Sequence, residues 1–297
     1  MLISVEVGTA IGLGLEGQSW SDWSHFDAAI VALSRVTAMA GTALALVALL
    51  LSARIPWIER SVGQDRLVKW HRTFGPYSLF LILAHVLLVT IGYSLLDKAS
   101  LWSEWWNIVL TMQWMLPALV GFVFMMMIGI TSYRRIRGKL KYETWWTIHL
   151  YAYVGIVLAF MHEIQTGSMF VDQPSLKAWW IGVFAVTVAL ILMFRVVMPV
   201  IVSLRHDIRV ERVEVENHDT ISVTMKGRNI DALNARGGQF FGFRFMVRRY
   251  WWESHPYSLS ASPRKDRLRI TVKDLGDHSA WMRELRAGTR VWIEGPY

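Results

Sequence analysis

The chain has 297 residues, 54% of them hydrophobic, and a mean hydropathy of +0.33, which is too apolar for an ordinary soluble domain. It contains no cysteine, which excludes disulfides, thiolate metal sites and a cysteine nucleophile. Its net charge of +8 points to nucleic acid only until the placement of that charge is read along the chain.

Residues 1–27 contain LISVEVGTAIGLGL, a short apolar stretch with Glu6 inside it. It is either the tail of a first span or a disordered leader, and no secretory signal pattern is clear there. Five segments then follow that are long and apolar enough to cross a bilayer, at about 28–53, 70–96, 105–131, 145–162 and 178–202. The connection between the first two holds Arg54, Arg60, Arg66, Lys69 and Arg72. The one between the third and fourth holds Arg134, Arg135, Arg137, Lys139 and Lys141, whereas the remaining two hold only Lys98 and Lys177. Basic loops stay in the cytoplasm, so both rich loops and the polar C-terminal segment are expected there. The positive charge is therefore an orientation signal, and no nucleic-acid partner is expected. Trp102, Trp105, Trp106, Trp145, Trp146, Trp179 and Trp180 cluster at the span ends, as an interfacial aromatic belt does.

The second span carries His71 and His85, and the fourth carries His149 and His162. Both spans run outward, so the histidines form two levels about 20 Å apart at 1.5 Å rise per residue. Each level suits one haem with an axial imidazole from either helix, and two stacked haems conduct electrons across the bilayer. The competing reading is a set of buried histidines bonded to carbonyls or to one another. A spacing of 14 returns to within about 40° of the same helix face, but a spacing of 13 misses by about 140°. The fourth span must be locally distorted, at Gly155 for instance, or the two sites must differ in azimuth; the Gly75–Pro76 pair is a second place for irregularity. Zinc fits less well, because each level has two histidines and no nearby carboxylate but Glu163. Arg35, about two turns inside the outer end of the first span, needs an anionic partner or must snorkel to the headgroups.

Residues 208–297 alternate in short runs (IRVERVEVE, TISVTMKG, QFFGFRFM, RLRITVKD, RVWIEGPY) that predict strands, with one short helix at 279–286. Many short strands in so small a segment predict a small antiparallel β-barrel. HPYSLSASP at 255–263 offers an extended edge suited to a flat heterocycle. Lys273 beside a helix start at Ser279 is either an anion site or a simple N-cap.

Together these residues resemble the ferric reductase and NADPH oxidase family of transmembrane flavocytochromes, over about 28–297. The two histidine pairs, RRIRGKLKYETWWTIH, GGQFF followed by HPYSLS, and VWIEGPY carry the resemblance. It implies an α-helical membrane bundle, five clear spans here against six in the family, followed by a β-barrel that binds FAD. The divisions would be a leader or partial first span at 1–27, a bis-haem membrane domain at 28–202 and the flavin barrel at 203–297. It implies FAD and two b-type haems as cofactors. His71, His85, His149 and His162 would ligate iron. His255, Pro256, Tyr257 and Ser258 would line the flavin, and Thr271, Lys273, His278 and Ser279 its phosphates and ribose. Arg35 would stand near the outer haem and the acceptor. The family's dinucleotide domain begins where this chain stops, at Tyr297, so NAD(P)H is expected to act through a missing or separate domain, and the chain to be trimmed at both ends. The expected protein is a multi-pass plasma-membrane oxidoreductase, in contact with membrane lipid and facing the cytoplasm with its flavin. Cytoplasmic reduced FAD would feed the haems, and oxygen or a ferric chelate outside would accept the electrons. Two rivals are a haem subunit serving a quinone or a periplasmic reductase, which would lack the flavin segment, and a proton or metal transporter using intramembrane histidines, which leaves the strands unexplained.

Overall fold

The computed structural model describes residues 2–15, 18, 23–171 and 173–297. The chain forms two compact units, Met1–Leu190 and Ile191–Tyr297.

In the first unit, the leader forms helix α1 (Leu2–Leu15). It packs rather than straggles: Ala10 is fully buried beside Met39, Ala43 and Leu46 of α2 (Phe26–Ser52). A Cβ on Gly14 would lie 2.9 Å from the Val36 Cα, so glycine is what permits the approach. The remaining part of the leader at 16–17 and 19–22 lies outside the described residues. α2 is the central helix, built from alanines and Gly41, and small residues let neighbouring backbones come close. α3 (Gln64–Leu96) packs along it, and Gly92 of α3 admits Val31. Next come α4 (Leu101–Thr111), capped by the Ser100 hydroxyl accepting from the Ser103 N–H at 3.2 Å, and α5 (Met115–Ser132). α6 (Tyr142–Thr166) and α7 (Pro174–Leu192) follow, and the helical path runs on through a π-turn at Met193–Val197 into α8 (Met198–His206). The π-turn has a cause: Pro199 has no N–H and its ring crowds the carbonyl four residues back, at Arg195.

Five helices are long and apolar enough to cross a membrane: α2, α3, α5, α6 and the Pro174–His206 path. This is a multi-pass membrane protein. Outside α2, few side chains in these spans are buried within the chain, which leaves apolar surface for lipid. One expectation needs correction, and an open alternative is decided. The third span, expected as one helix over 105–131, is broken between α4 and α5, where Trp114 takes a left-handed conformation with φ 64°. The fourth span has no distortion: α6 is helical from Tyr142 to Thr166, so its two histidines differ in azimuth. α3 likewise runs unbroken through Gly75 and Pro76.

The second unit overturns the expected β-barrel. Its strands are β1 (Arg209–Asn217), β2 (Thr220–Lys226), β3 (Phe240–Phe245), β4 (His255–Ser258), β5 (Arg267–Lys273) and β6 (Val291–Glu294). They form two small antiparallel sheets, ordered β1-β2-β5 and β4-β3-β6, rather than a closed barrel. Closure needs a continuous ladder around the ring. Here β4 and β6 are only four residues each, and backbone pairing between the sheets is limited to isolated bridges such as Arg209 with Arg290 and Leu259 with Ile270. The apolar alternation that suggested a barrel instead fills one core, with Val223, Met225 and Ile270 from the first sheet against Phe241, Phe243 and Ile293 from the second. The expected helix at 279–286 starts earlier, as α9 (Asp277–Trp281), and tightens into a 3₁₀ turn at Met282–Glu284.

Ser203 of α8 fastens that helix to β6. Its buried hydroxyl accepts from the Ile293 N–H at 3.0 Å. Ser203→Ala leaves that N–H unpaired and should cost about 1–3 kcal/mol. Urea unfolding of the whole chain in detergent, followed by far-ultraviolet circular dichroism, measures it.

Candidate functional site

Three of the four intramembrane histidines share one bonding scheme. The Nδ1–H of His71 donates to the Ala48 carbonyl and that of His85 to the Ser34 carbonyl, both at 2.9 Å and both on α2. The Nδ1–H of His162 donates to the Ala159 carbonyl one turn back. A carbonyl can only accept, so in these three rings the proton sits on Nδ1 and the lone pair on Nε2. Nδ1 of His149 faces the Ser132 hydroxyl at 3.4 Å. The rings of His71 and His149 stand 5.9 Å apart, centre to centre, at 65°. His85 and His162 line a common cavity of about 390 Å³ together with Arg35 and Glu163, a volume in the ordinary range for ligand sites.

Two features around this array were not legible in the sequence. Glu163 is held between α2 and α7: the Thr42 hydroxyl donates to one carboxylate oxygen at 3.1 Å and the Trp180 N–H to the other at 3.0 Å. Its place directly after His162 was the only signal. Trp145, expected in the aromatic belt, stacks on His149 at 5.0 Å and carries the Arg137 guanidinium on its ring at 4.5 Å. Its N–H donates to Ser132 at 3.2 Å, so one residue both stacks on His149 and anchors the hydroxyl that His149 faces.

In the second unit, His255, Tyr257 and His278 come together. The imidazoles of His255 on β4 and His278 on α9 stack at 3.6 Å. The Tyr257 hydroxyl lies 3.2 Å from Nδ1 of His278. Burial, and next to it His255, pushes the His278 pKa down to about 4, and burial raises Tyr257 to about 12. Both are therefore neutral near pH 7. Pro256 and Ser258 lie on β4 opposite Gly242 and Phe240. Thr271 and Lys273 sit on the other sheet with partners of their own: Thr271 bonds Ser222 at 3.0 Å, and Lys273 pairs with Asp219 at 3.3 Å. Ser279 does not cap α9. Its hydroxyl accepts from the Leu275 N–H and donates to the Gly276 carbonyl, both at 2.8 Å, which shapes the turn.

With this geometry in view, comparison with known proteins is direct. Residues 37–160 match the model described as a ferric reductase like transmembrane component, and residues 205–297 match that of an FAD-binding domain. The chain joins a ferric-reductase-like membrane domain to an FAD-binding domain. The ferric-reductase-like segment spans His71, His85 and His149 and ends two residues before His162, and the FAD-binding segment spans the HPYS strand and α9. Both domains are of oxidoreductase type. No curated protein matches the chain. The cytochrome b5 reductase domain of Ulva prolifera nitrate reductase is a similar solved structure, at 15% identity and a TM-score of 0.27. That likeness covers 32% of this chain and 41% of the other, so this chain spans well under half the length of that structure.

Proposed function

We propose that the protein carries electrons from reduced FAD on its C-terminal domain, through two b-type haems, to an acceptor across the membrane. The observation that supports this most is the shared Nδ1 scheme. An imidazole that binds iron uses one nitrogen and commonly donates from the other. Three histidines donate from Nδ1 to a carbonyl, and the fourth meets a hydroxyl that can accept, which leaves Nε2 as the ligating atom in each. A separation of 5.9 Å between ring centres leaves room for one metal between His71 and His149, at about 2 Å from each nitrogen as for other imidazole ligands. A linear pair of imidazole ligands needs ring centres roughly 6.3 Å apart, so His71 and His149 would part by a few tenths of an ångström to hold the group. His71 with His149 would hold one haem and His85 with His162 the other.

Haem supplies reversible one-electron chemistry when bound. The chain's part is to orient the imidazoles, to wall the site with apolar residues and to set the local charge. The positive-inside bias would put the flavin side in the cytoplasm, and on this reading the chain crosses the plasma membrane. On this reading 28–202 is the haem-bearing domain and 203–297 the flavin domain. His255, Pro256, Tyr257 and Ser258 would face the flavin ring, and Thr271, Lys273, His278 and Ser279 its phosphates and ribose. NAD(P)H would reduce the flavin through a further domain. The acceptor is oxygen or a ferric chelate.

The test is cofactor content. Purified chain supplied with haem and FAD should hold two low-spin, six-coordinate haems and one FAD. A wild-type chain that saturates at one haem, or that binds no flavin, would refute the corresponding half of the proposal.

Arg35 makes no ion pair among the described residues, and it lines the cavity shared by His85 and His162. A fixed cation there makes reduction easier by offsetting the added electron. Arg35→Ala should therefore keep both haems but lower the potential of the one at this level and slow its reoxidation. Arg35→Lys should recover part of the change, having lost the planar fork. A spectroelectrochemical titration measures this, and unchanged potentials would remove Arg35 from the site.

A further inference from the structure

Glu253 was not singled out by any motif, yet it completes a cluster. Its Oε2 lies 3.0 Å from Nε2 of His255, and His255 stacks on His278. One ligand atom from each of Glu253, His255 and His278 lies within 4.8 Å of the others, and this is the one such three-residue group of histidine and carboxylate ligands among the described residues. The geometry points to a divalent transition-metal site, best matched to Zn²⁺, formed by Glu253, His255 and His278 with a water in the fourth position.

Three features carry it. Two imidazoles and one carboxylate are a donor set that zinc uses in open, three-ligand sites. Two ligands of a tetrahedral ion, each at about 2.0–2.1 Å, stand roughly 3.3 Å apart. The Glu253–His255 separation of 3.0 Å therefore needs to open by only a few tenths of an ångström, while the stacked rings of His255 and His278, 3.6 Å apart centre to centre, would splay to roughly 5 Å to aim both nitrogens at one ion. The third feature is the outer partner. Tyr257 stands 3.2 Å from Nδ1 of His278, and a phenol oxygen accepting from that nitrogen leaves Nε2 free to bind metal. His255 would bind through Nε2 with its proton moved to Nδ1, so no net proton is lost. The carboxylate leaves the filled site with a single positive charge.

The ligands come from three places, the turn before β4, β4 itself and α9, so a bound ion would tie His255 to His278. On the flavin reading above, those two side chains belong to the FAD site. Zn²⁺ and FAD would then exclude each other, and the metal would switch off electron entry. The exclusion rests on that reading, whereas metal binding does not.

The experiment uses the full chain in detergent, freed of metal and flavin. Co²⁺ is titrated first, because a four-coordinate Co²⁺ site has intense visible bands that the six-coordinate aqua ion lacks. Zn²⁺ is then titrated by calorimetry. Wild type should show the four-coordinate spectrum, abolished by one equivalent of Zn²⁺. Glu253→Gln and His278→Gln should each lose it and weaken Zn²⁺ binding at this site at least tenfold. Circular dichroism checks that each variant is folded, and the wild-type spectrum stands without them. A six-coordinate spectrum in wild type, or equal Zn²⁺ binding in wild type and both variants, overturns the site. In a second arm, FAD is titrated by flavin fluorescence with and without Zn²⁺. Zn²⁺ should raise the apparent Kd for FAD at least tenfold in wild type and leave Glu253→Gln unaffected. Unchanged FAD affinity in the presence of bound Zn²⁺ overturns the exclusion. Failure of wild type to bind FAD at all counts against the flavin reading and leaves the first arm to judge the metal.

Discussion

Replacing His85 or His162 with alanine is expected to remove one haem and leave the other in place. Each haem would be held by two imidazoles, so losing one would leave the iron short of a protein ligand. His85 and His162 line a common cavity, whereas His71 and His149 meet elsewhere along the same two helices. The levels should therefore fail independently, and His71→Ala or His149→Ala should remove the other haem. The protein around each site should survive, because what truncation leaves behind is a backbone carbonyl or a hydroxyl. The Ser34 carbonyl that loses His85 still accepts from the Thr37 hydroxyl at 2.8 Å. Haem per polypeptide, by the pyridine haemochrome assay, should fall from two to one in each variant, and the reduced spectrum should lose a different component for each level. If all four variants keep two haems, the histidines are structural and the proposed function loses its support. If one variant loses both, the levels are coupled.

Gly121→Ala should damage the packing of α5 against α6. α5 and α6 cross backbone to backbone at Gly121 and Gly155. A Cβ on Gly121 would stand 2.5 Å from the Gly155 carbonyl oxygen, closer than real contacts come. That oxygen belongs to a helix backbone and cannot rotate away as a side chain would, so α6 itself must move. Overpacking of this kind typically costs about 1–3 kcal/mol, and more when only backbone can yield. α6 carries both His149 and His162, so both levels should lose haem, in contrast to the histidine variants. Gly75→Ala is the control. It is also a helical glycine, four residues from His71, but nothing lies within 4 Å of its added Cβ. Alanine there should be neutral, or stabilising by about 0.5–1 kcal/mol through helix propensity. Thermal unfolding in detergent, with haem content measured alongside, separates them. Equal midpoints for the two variants would mean that the close crossing is not what holds α6.

The sequence by itself determined what depends on local composition. Runs of apolar residues with charges between them specify spans, because hydrocarbon penalises any unpaired polar group, and five such helices form. The histidine spacings determined that α3 and α6 each carry two imidazoles. Alternating apolar residues determined most of the strands. What the tertiary structure decided is which atoms meet. The proton positions on His71 and His85 follow from carbonyls of α2, which lie 23 and 51 residues away and carry no motif. The break at Trp114 is a backbone conformation that composition does not announce. The strands close two sheets and not a barrel, because closure depends on ladder continuity among short strands, whereas alternation reports only which face is buried. Glu163 looks like a polar residue ending a span until Thr42 and Trp180, from two other helices, donate to it. Glu253, His255 and His278 gather only when β4 and α9 pack together, since spacing along a chain sets reach and only packing sets direction.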